Sequence, residues 1–138
     1  FFFFIWNKKS SLRRSEVSVR RVRNERLWDF LISARGLSLW IGTVAEFRLE
    51  KGFEFASAEG VSGTLTVIEP FQKLRMKWKR PEWEAASRLQ IRLLPVNREK
   101  TTLAFHQEML EDVYIRELMR RHWEEKLLCI RDETEDAT

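Results

Sequence analysis

His122 and Gln107 are the two side chains of this 138-residue chain best placed to touch something in its interior. His122 adjoins Trp123 in an amphipathic stretch, on the side that carries Met119, Leu127 and Ile130. An imidazole there could serve as acid, base or ligand anchor, or simply bond a nearby carbonyl of the fold. Gln107 belongs to the alternating run Leu103, Phe105, Gln107, Met109, whose other members are apolar. A buried amide requires partners. They are either a ligand's carbonyl or hydroxyl, or the backbone and a trapped water. His106 falls on the opposite face by the period of two and is expected in solvent. The single cysteine, Cys129, excludes an internal disulfide and a multi-cysteine metal site. It reads as a small apolar residue beside the helix stripe, and an unpaired thiol fits a reducing cytoplasm.

These groups do not assemble into catalytic machinery. No carboxylate shares the inward parity of the central strands, so no paired acid and base arises. Cys129 stands about two helical turns from His122, and no Ser-His-Asp or Cys-His grouping forms. Two histidines without an inward carboxylate do not make a metal site, and no glycine-rich phosphate loop is present. Neither catalytic residues, nor metal ligands, nor a cofactor are expected. The residue types point to binding.

The elements that position these side chains follow from periodicity. Val17 and Val19 alternate with Ser18 and Arg20 as a short strand. Asn24 is the expected N-cap of a helix carrying Leu27, Trp28, Leu31 and Ile32 on one face. Gly36 is expected to end it, and residues 37–41 form a second short helix closed by Gly42. From Thr43 the period becomes two. Ala45, Phe47 and Leu49 begin the series, with a turn at Lys51-Gly52, and Phe53 and Phe55 follow. Another turn at Glu59-Gly60 leads to Val61, Gly63, Leu65 and Val67, and Pro70 breaks that run. Leu74, Met76 and Trp78 come next, then a loop over residues 81–86, then Leu89, Ile91 and Leu93. After a turn at residues 97–100, Leu103 to Met109 close the series. One face is apolar and the other mostly charged, the mark of an antiparallel sheet covered on one side.

A single long helix, from about Asp112 to Ile130, must do the covering. Asp112 is the expected N-cap, with Glu111 suited to the positive helix end. Ile115, Leu118, Met119, His122, Trp123, Leu127 and Ile130 form the expected stripe. Arg116, Arg120, Arg121, Glu124 and Glu125 face water, and Glu117 and Arg121 are spaced as a surface pair. About 19 residues span roughly 28 Å, enough to cross five or six strands at about 4.8 Å spacing.

Length, charge and termini set the frame. The chain is one domain, large enough to build a core without staples. Its net charge is +4, with Lys8, Lys9, Arg13, Arg14, Arg20, Arg21, Arg23 and Arg26 near one end and Asp132, Glu133, Glu135 and Asp136 near the other. The basic residues are not interleaved with stacking aromatics and accompany no helix-turn-helix, zinc or RNA-binding signature, so no nucleic acid is expected. The apolar run from Phe1 to Trp6 is too short to cross a bilayer, which needs about 20 residues. It reads as a truncated anchor, an artefact of the gene start or an extra edge strand, the first two being preferred. Otherwise no membrane association is expected. Residues 1–14 are therefore taken as an extension, flexible or artefactual, with a polar linker at 7–14. Residues 15–131 are the domain and 132–138 an acidic tail, and the location is cytoplasmic.

With these residues in place, the chain resembles the START-like (SRPBCC) superfamily, in the branch named after the activator of the heat-shock protein 90 ATPase. The likeness runs from about Val17 to Ile130. It is carried by Asn24-Glu25-Arg26-Leu27-Trp28-Asp29-Phe30-Leu31, by Leu39-Trp40, and by Gly63-Thr64-Leu65-Thr66-Val67-Ile68-Glu69-Pro70 with Lys73-Leu74-Arg75-Met76-Lys77-Trp78. Thr101-Thr102-Leu103, His106, and Trp123, Leu127 and Ile130 complete it. Where the family often carries Gly-Gly before the third strand, only Gly52 stands here. The resemblance implies an α+β helix-grip fold: a curved antiparallel β-sheet wrapped around a long C-terminal α-helix, with two short helices after the first strand, in the order β-α-α-β6-α. It also implies a cavity between sheet and helix.

The expected site is that interior. Trp40, Phe47, Phe55, Met76, Trp78, Ile91, Phe105, Gln107, Met119, His122 and Trp123 converge there as ligand-binding residues. Aromatics and methionines around a concavity suit a small apolar or aromatic molecule; the same residues could instead simply fill a core. The resemblance also implies two alternatives, an interaction protein acting on a chaperone partner and a cyclase- or hydrolase-like enzyme.

Overall fold

Alternating residues become a ladder only where the backbone finds a partner edge, and most of this chain does. The computed structural model describes residues 2–7, 12–20, 23–98, 100–110 and 112–135, the first two ranges as backbone. Its elements are β1 (Phe2–Asn7), β2 (Leu12–Arg20), α1 (Asn24–Ile32), α2 (Ala34–Trp40), β3 (Glu54–Ala56), β4 (Ser62–Glu69), β5 (Lys73–Lys79), β6 (Ser87–Asn97), β7 (Lys100–Glu108) and α3 (Val113–Thr134). The strands form one antiparallel sheet in the order β1-β2-β7-β6-β5-β4-β3. This is the α+β helix-grip arrangement. The sheet curves around α3, and α1 and α2 pack beside it.

The inward parity holds through the central strands. Leu74, Met76 and Trp78 on β5, Leu89, Ile91 and Leu93 on β6, and Leu103 and Phe105 on β7 are buried, at 2 % exposure or less. Met119, Trp123, Leu127 and Ile130 of α3 meet them. Burying each large apolar side chain stabilises by about 1.5–3 kcal/mol, so this interface holds the helix in place. Asp112 caps α3 as expected, its carboxylate accepting from Ile115 N at 2.8 Å. Arg120 is paired with both Glu117 and Glu124, and Arg121 reaches Glu117 at 3.5 Å.

Several expectations are corrected. Arg23, whose side chain makes no capping bond, is the N-cap of α1; the Asn24 amide instead donates to Phe71 O at 3.2 Å. Gly36 does not end α1. Ser33 does, and it also caps α2 by accepting from Gly36 N at 3.2 Å. Gly36 lies inside α2 because the helices turn so tightly that a Cβ there would stand 1.9 Å from Phe30 O. That approach, rather than a left-handed cap, demands glycine.

The run Ala45, Phe47, Leu49 is not a strand, and Ala45 is an exposed residue at a bend. Phe47 and Leu49 pack against the core, while Glu46 and Glu50 pair with Arg48 at 3.0 and 3.8 Å. Alternation here reflects one-sided burial without a ladder. On β4 the register slips between Leu65 and Val67. Beyond this bulge Ile68 opposes Leu74 and takes the inward place, and Val67 opposes Arg75 on the outer face. Met109 does not close β7 inward. The strand stops at Glu108, and Met109 has φ 65° and is 60 % exposed. Leu110 is buried in its stead. Leu118 is likewise outside the stripe, at 48 % exposure.

At the termini, Phe2–Asn7 is an edge strand in register with β2, from Phe2↔Val17 to Asn7↔Leu12. The backbone of residues 12–14 thus belongs to β2 rather than to a linker. The last helix continues past Ile130 to Thr134, whose hydroxyl donates to Ile130 O at 2.7 Å. Glu133, placed in the acidic tail by sequence, pairs with Arg35 of α2 at 2.7 Å. Glu111 and Asp136 lie outside the described residues.

Candidate functional site

Three tryptophans tie the elements around the space beneath α3. Trp78 on β5 donates its indole N–H to Trp40 O at 3.0 Å. Trp40 on α2 donates to Leu31 O at 2.9 Å, satisfying a carbonyl at the end of α1. Trp123 on α3 donates to Gln107 Oε1 at 2.7 Å. The Gln107 amide donates to Ser87 Oγ at 2.9 Å, and the Ser87 hydroxyl donates to Trp78 O at 2.7 Å. A continuous polar chain thus runs through the apolar interior from helix to sheet. Both ends of the Gln107 amide are occupied by protein. Ser87 was missed in the sequence, although it stands at inward parity two residues before Leu89.

The expected site residues divide into two groups. Phe105 and Trp123 form a tilted pair at 4.9 Å between centroids, and Trp78 meets Trp123 edge-on at 5.2 Å. Phe47 and Phe55 lie edge-on to Trp40 at 6.1 and 6.4 Å. Met76, Ile91 and Met119 are fully buried. Phe105, Trp123, Met76, Ile91 and Met119 fill the buried core, while Phe47 and Phe55 pack around Trp40. Trp40, Trp78 and His122, by contrast, reach a cleft of about 310 Å³ at the end of the grip, where α2, the start of β4, the 80–82 loop and α3 meet.

The cleft has apolar walls from Leu39, Ile41, Val61, Pro81 and the two tryptophans. Its polar end is His122, Arg80 and Lys126, with Glu59 and Glu82 on the rim. Gly42, at φ 130°, turns the chain past Glu59, and a Cβ there would meet Glu59 Oε1 at 2.3 Å. Glu59 is already committed. It accepts from Thr43 N at 2.7 Å and Thr43 Oγ1 at 2.9 Å, and these bonds hold its carboxyl below the ordinary range.

His122 has a defined state. Its Nδ1 lies 3.1 Å from Arg80 Nη2. A guanidinium only donates, so Nδ1 accepts and the proton of the neutral ring is on Nε2. Burial, then the charges of Arg80 and Lys126, lower its pKa from 6.5 to about 4. The imidazole is therefore neutral near pH 7. It can donate a hydrogen bond from Nε2 but is a poor base, since protonation would sacrifice the Arg80 bond and set cation against cation. Among the described residues no group of three His, Cys, Asp or Glu could hold a metal ion, and no helix is long and apolar enough to cross a membrane. Sequence reasoning missed Arg80 and Lys126. Lys126 was findable, one helical turn from His122; Arg80 depends on the path of a loop.

A long helix gripped by a curved antiparallel sheet, with two short helices after the second strand, is the architecture of the START-like (SRPBCC) superfamily. Within it, the chain belongs to the family described as Activator of Hsp90 ATPase homolog 1-like protein, whose profile matches residues 21–131. No curated protein matches it in sequence. Among solved structures it is similar to DynU16, a putative protein of the dynemicin biosynthetic locus, with TM-score 0.76 and 15% identity over 88% of this chain and 46% of that one. The chain thus spans about half of that relative's length. CalU16 from Micromonospora echinospora is similar at TM-score 0.73 and 17% identity, covering 93% of this chain and 69% of that one. An Hsp90 activator from Plasmodium falciparum is similar at TM-score 0.68 and 23% identity, covering 84% of this chain and 91% of that one. At these identities the likeness is one of fold.

Proposed function

We propose that the protein binds a small apolar or aromatic molecule bearing one hydrogen-bond acceptor or anionic group, in the cleft at the end of the grip. The fold is one that generally binds small hydrophobic ligands. The observation that carries this reading is the cleft's polarity: apolar walls lead to a neutral His122 flanked by Arg80 and Lys126. An apolar body leaves water against Leu39, Ile41 and Val61, and its acceptor meets fixed donors at one end. His122 and Glu59 are both held by protein partners, which favours retention of a ligand over its turnover. Among the expected ligand-binding residues, Trp40, Trp78 and His122 would touch it. Phe47, Phe55, Met76, Ile91, Phe105, Gln107, Met119 and Trp123 would shape the floor behind them.

The test is a screen of aromatic carboxylates and neutral aromatics by thermal shift and native mass spectrometry, on the wild type and on Val61→Trp, which fills the cleft. Hits that stabilise the wild type and are lost in Val61→Trp support the reading. A screen without hits, or hits that Val61→Trp binds as well, overturns it. The family match and the likeness to an Hsp90 activator favour a second reading, a protein that stimulates a chaperone. It predicts a rise in chaperone ATPase turnover when the protein is added, and no rise removes it.

A further inference from the structure

The outer face of the sheet, opposite the cleft, carries an arrangement that folding alone does not favour. On β5 and β6, Lys77 stands directly across from Arg88, and Lys73 across from Arg92. Like charges directly opposed across strands are destabilising. Lys73 is relieved by Glu69 at 2.9 Å. Between these pairs, Arg75 meets only a neutral side chain in its row, both Nε and Nη2 donating to Gln90 Oε1 at 3.0 and 2.7 Å.

Arg75, Lys77 and Arg88 border a concavity of about 560 Å³. Among the described residues that line it there is no carboxylate; Glu108 pairs with Arg88 at 3.4 Å from beside it. The lining also includes Thr66, whose hydroxyl donates to Arg75 O at 3.1 Å, and the buried Met76 and Ser87; its remaining apolar part is Val67, Ala86 and Met109. Two of these are outside because of backbone irregularities already described. The β4 bulge turns Val67 to the outer face, and the positive φ of Met109 turns that side chain away from the interior. A methionine rarely adopts that conformation without cost.

We propose that this concavity is a docking site for an acidic peptide segment of a partner protein, in which carboxylates flank an apolar side chain. The cations match the carboxylates, and Val67 and Met109 receive the apolar group. An adaptable thioether suits a surface that accepts a peptide. Nucleic acid is disfavoured because the concavity holds no aromatic ring for a base to stack on. A membrane is disfavoured because the apolar side chains line a hollow instead of projecting from the surface. The proposal is independent of the cleft, which lies on the inner side of the sheet.

Fluorescence anisotropy of a fluorescein-labelled peptide of repeated Glu-Glu-Leu, titrated with the full chain, tests it. The peptide is expected to bind and to weaken as salt rises. Lys77→Glu and Arg88→Glu should each weaken it about tenfold or more, and Met109→Ser should weaken it as well. Lys51→Glu, in the turn before β3, should leave binding unchanged. Lys77→Glu also separates docking from folding: it places a carboxylate opposite Arg88, so its melting temperature should equal or exceed that of the wild type while binding falls. Absence of peptide binding, or equal binding by Lys77→Glu and the wild type, overturns the proposal. So does tighter binding of oligothymidylate or phosphatidylserine vesicles than of the peptide.

Discussion

At the scale of single residues, His122 and Gln107 owe their properties to their surroundings: burial and one hydrogen bond for His122, two hydrogen bonds for Gln107. Burial, then the charges of Arg80 and Lys126, keep His122 neutral, with a native pKa of about 4 against 6.5 in the unfolded chain. Between those values the unfolded chain carries a proton that the native protein lacks. Stability is therefore full above about pH 6.5 and declines as pH falls toward 4, by roughly 3 kcal/mol in total. His122→Gln keeps an acceptor for Arg80 but does not titrate. Urea denaturation at pH 7 and pH 5 should show a smaller loss in the variant, and equal losses would contradict the assignment. Gln107→Leu strips the Trp123 indole of its acceptor and Ser87 of its donor. It should cost about 2–5 kcal/mol, read from chemical denaturation, although the substitution is apolar and close in size. The sequence marked both residues as inward and polar. It did not show what they bond, because their partners Arg80 and Ser87 come from other elements.

Secondary-structure elements were most legible where period and partner agree. β5, β6 and β7 read directly from Leu74-Met76-Trp78, Leu89-Ile91-Leu93 and Leu103-Phe105-Gln107, and α3 from its cap and stripe. The reading failed where one extra residue or one dihedral changes the facing of a side chain, at Val67 and Met109, and where alternation lacked a ladder, at residues 45–49. It also failed at Gly36, because a glycine needed for close approach looks in sequence like one needed for a turn. Gly36→Ala therefore tests the packing of α1 on α2. With Phe30 O 1.9 Å from the new Cβ, the backbone must move. The variant should lose about 3 kcal/mol or more, seen as a lowered denaturation midpoint, whereas a merely conformational glycine in a helix would gain stability on substitution.

For the whole molecule, β2, early in the sequence, packs with β7 and α3, late in it. Its pairing with β7 runs from Arg13↔Gln107 to Arg20↔Lys100. β1, at the sheet edge, pairs with β2 alone. A chain starting at Leu12 should keep one cooperative thermal transition near that of the full chain, because the core stays covered. A chain starting at Asn24 should lose it, because β7 and α3 then lack their neighbour. Circular dichroism melts distinguish these outcomes. The cleft was legible only as a direction, toward the space under the long helix. Its displacement to the end of the grip depends on how Trp78, Trp123 and Phe105 fill the middle, and ring packing is not written in periodicity.

That filling has an optical consequence. The indoles of Trp83 and Trp123 stand 5.5 and 5.2 Å from that of Trp78, close enough for the three chromophores to share excitation. Their near-ultraviolet dichroism is then a collective band, sensitive to any rotation of one ring. Since Trp78 also forms a wall of the cleft, the molecule contains its own unlabelled gauge of occupancy, readable in solution before any guest has been identified.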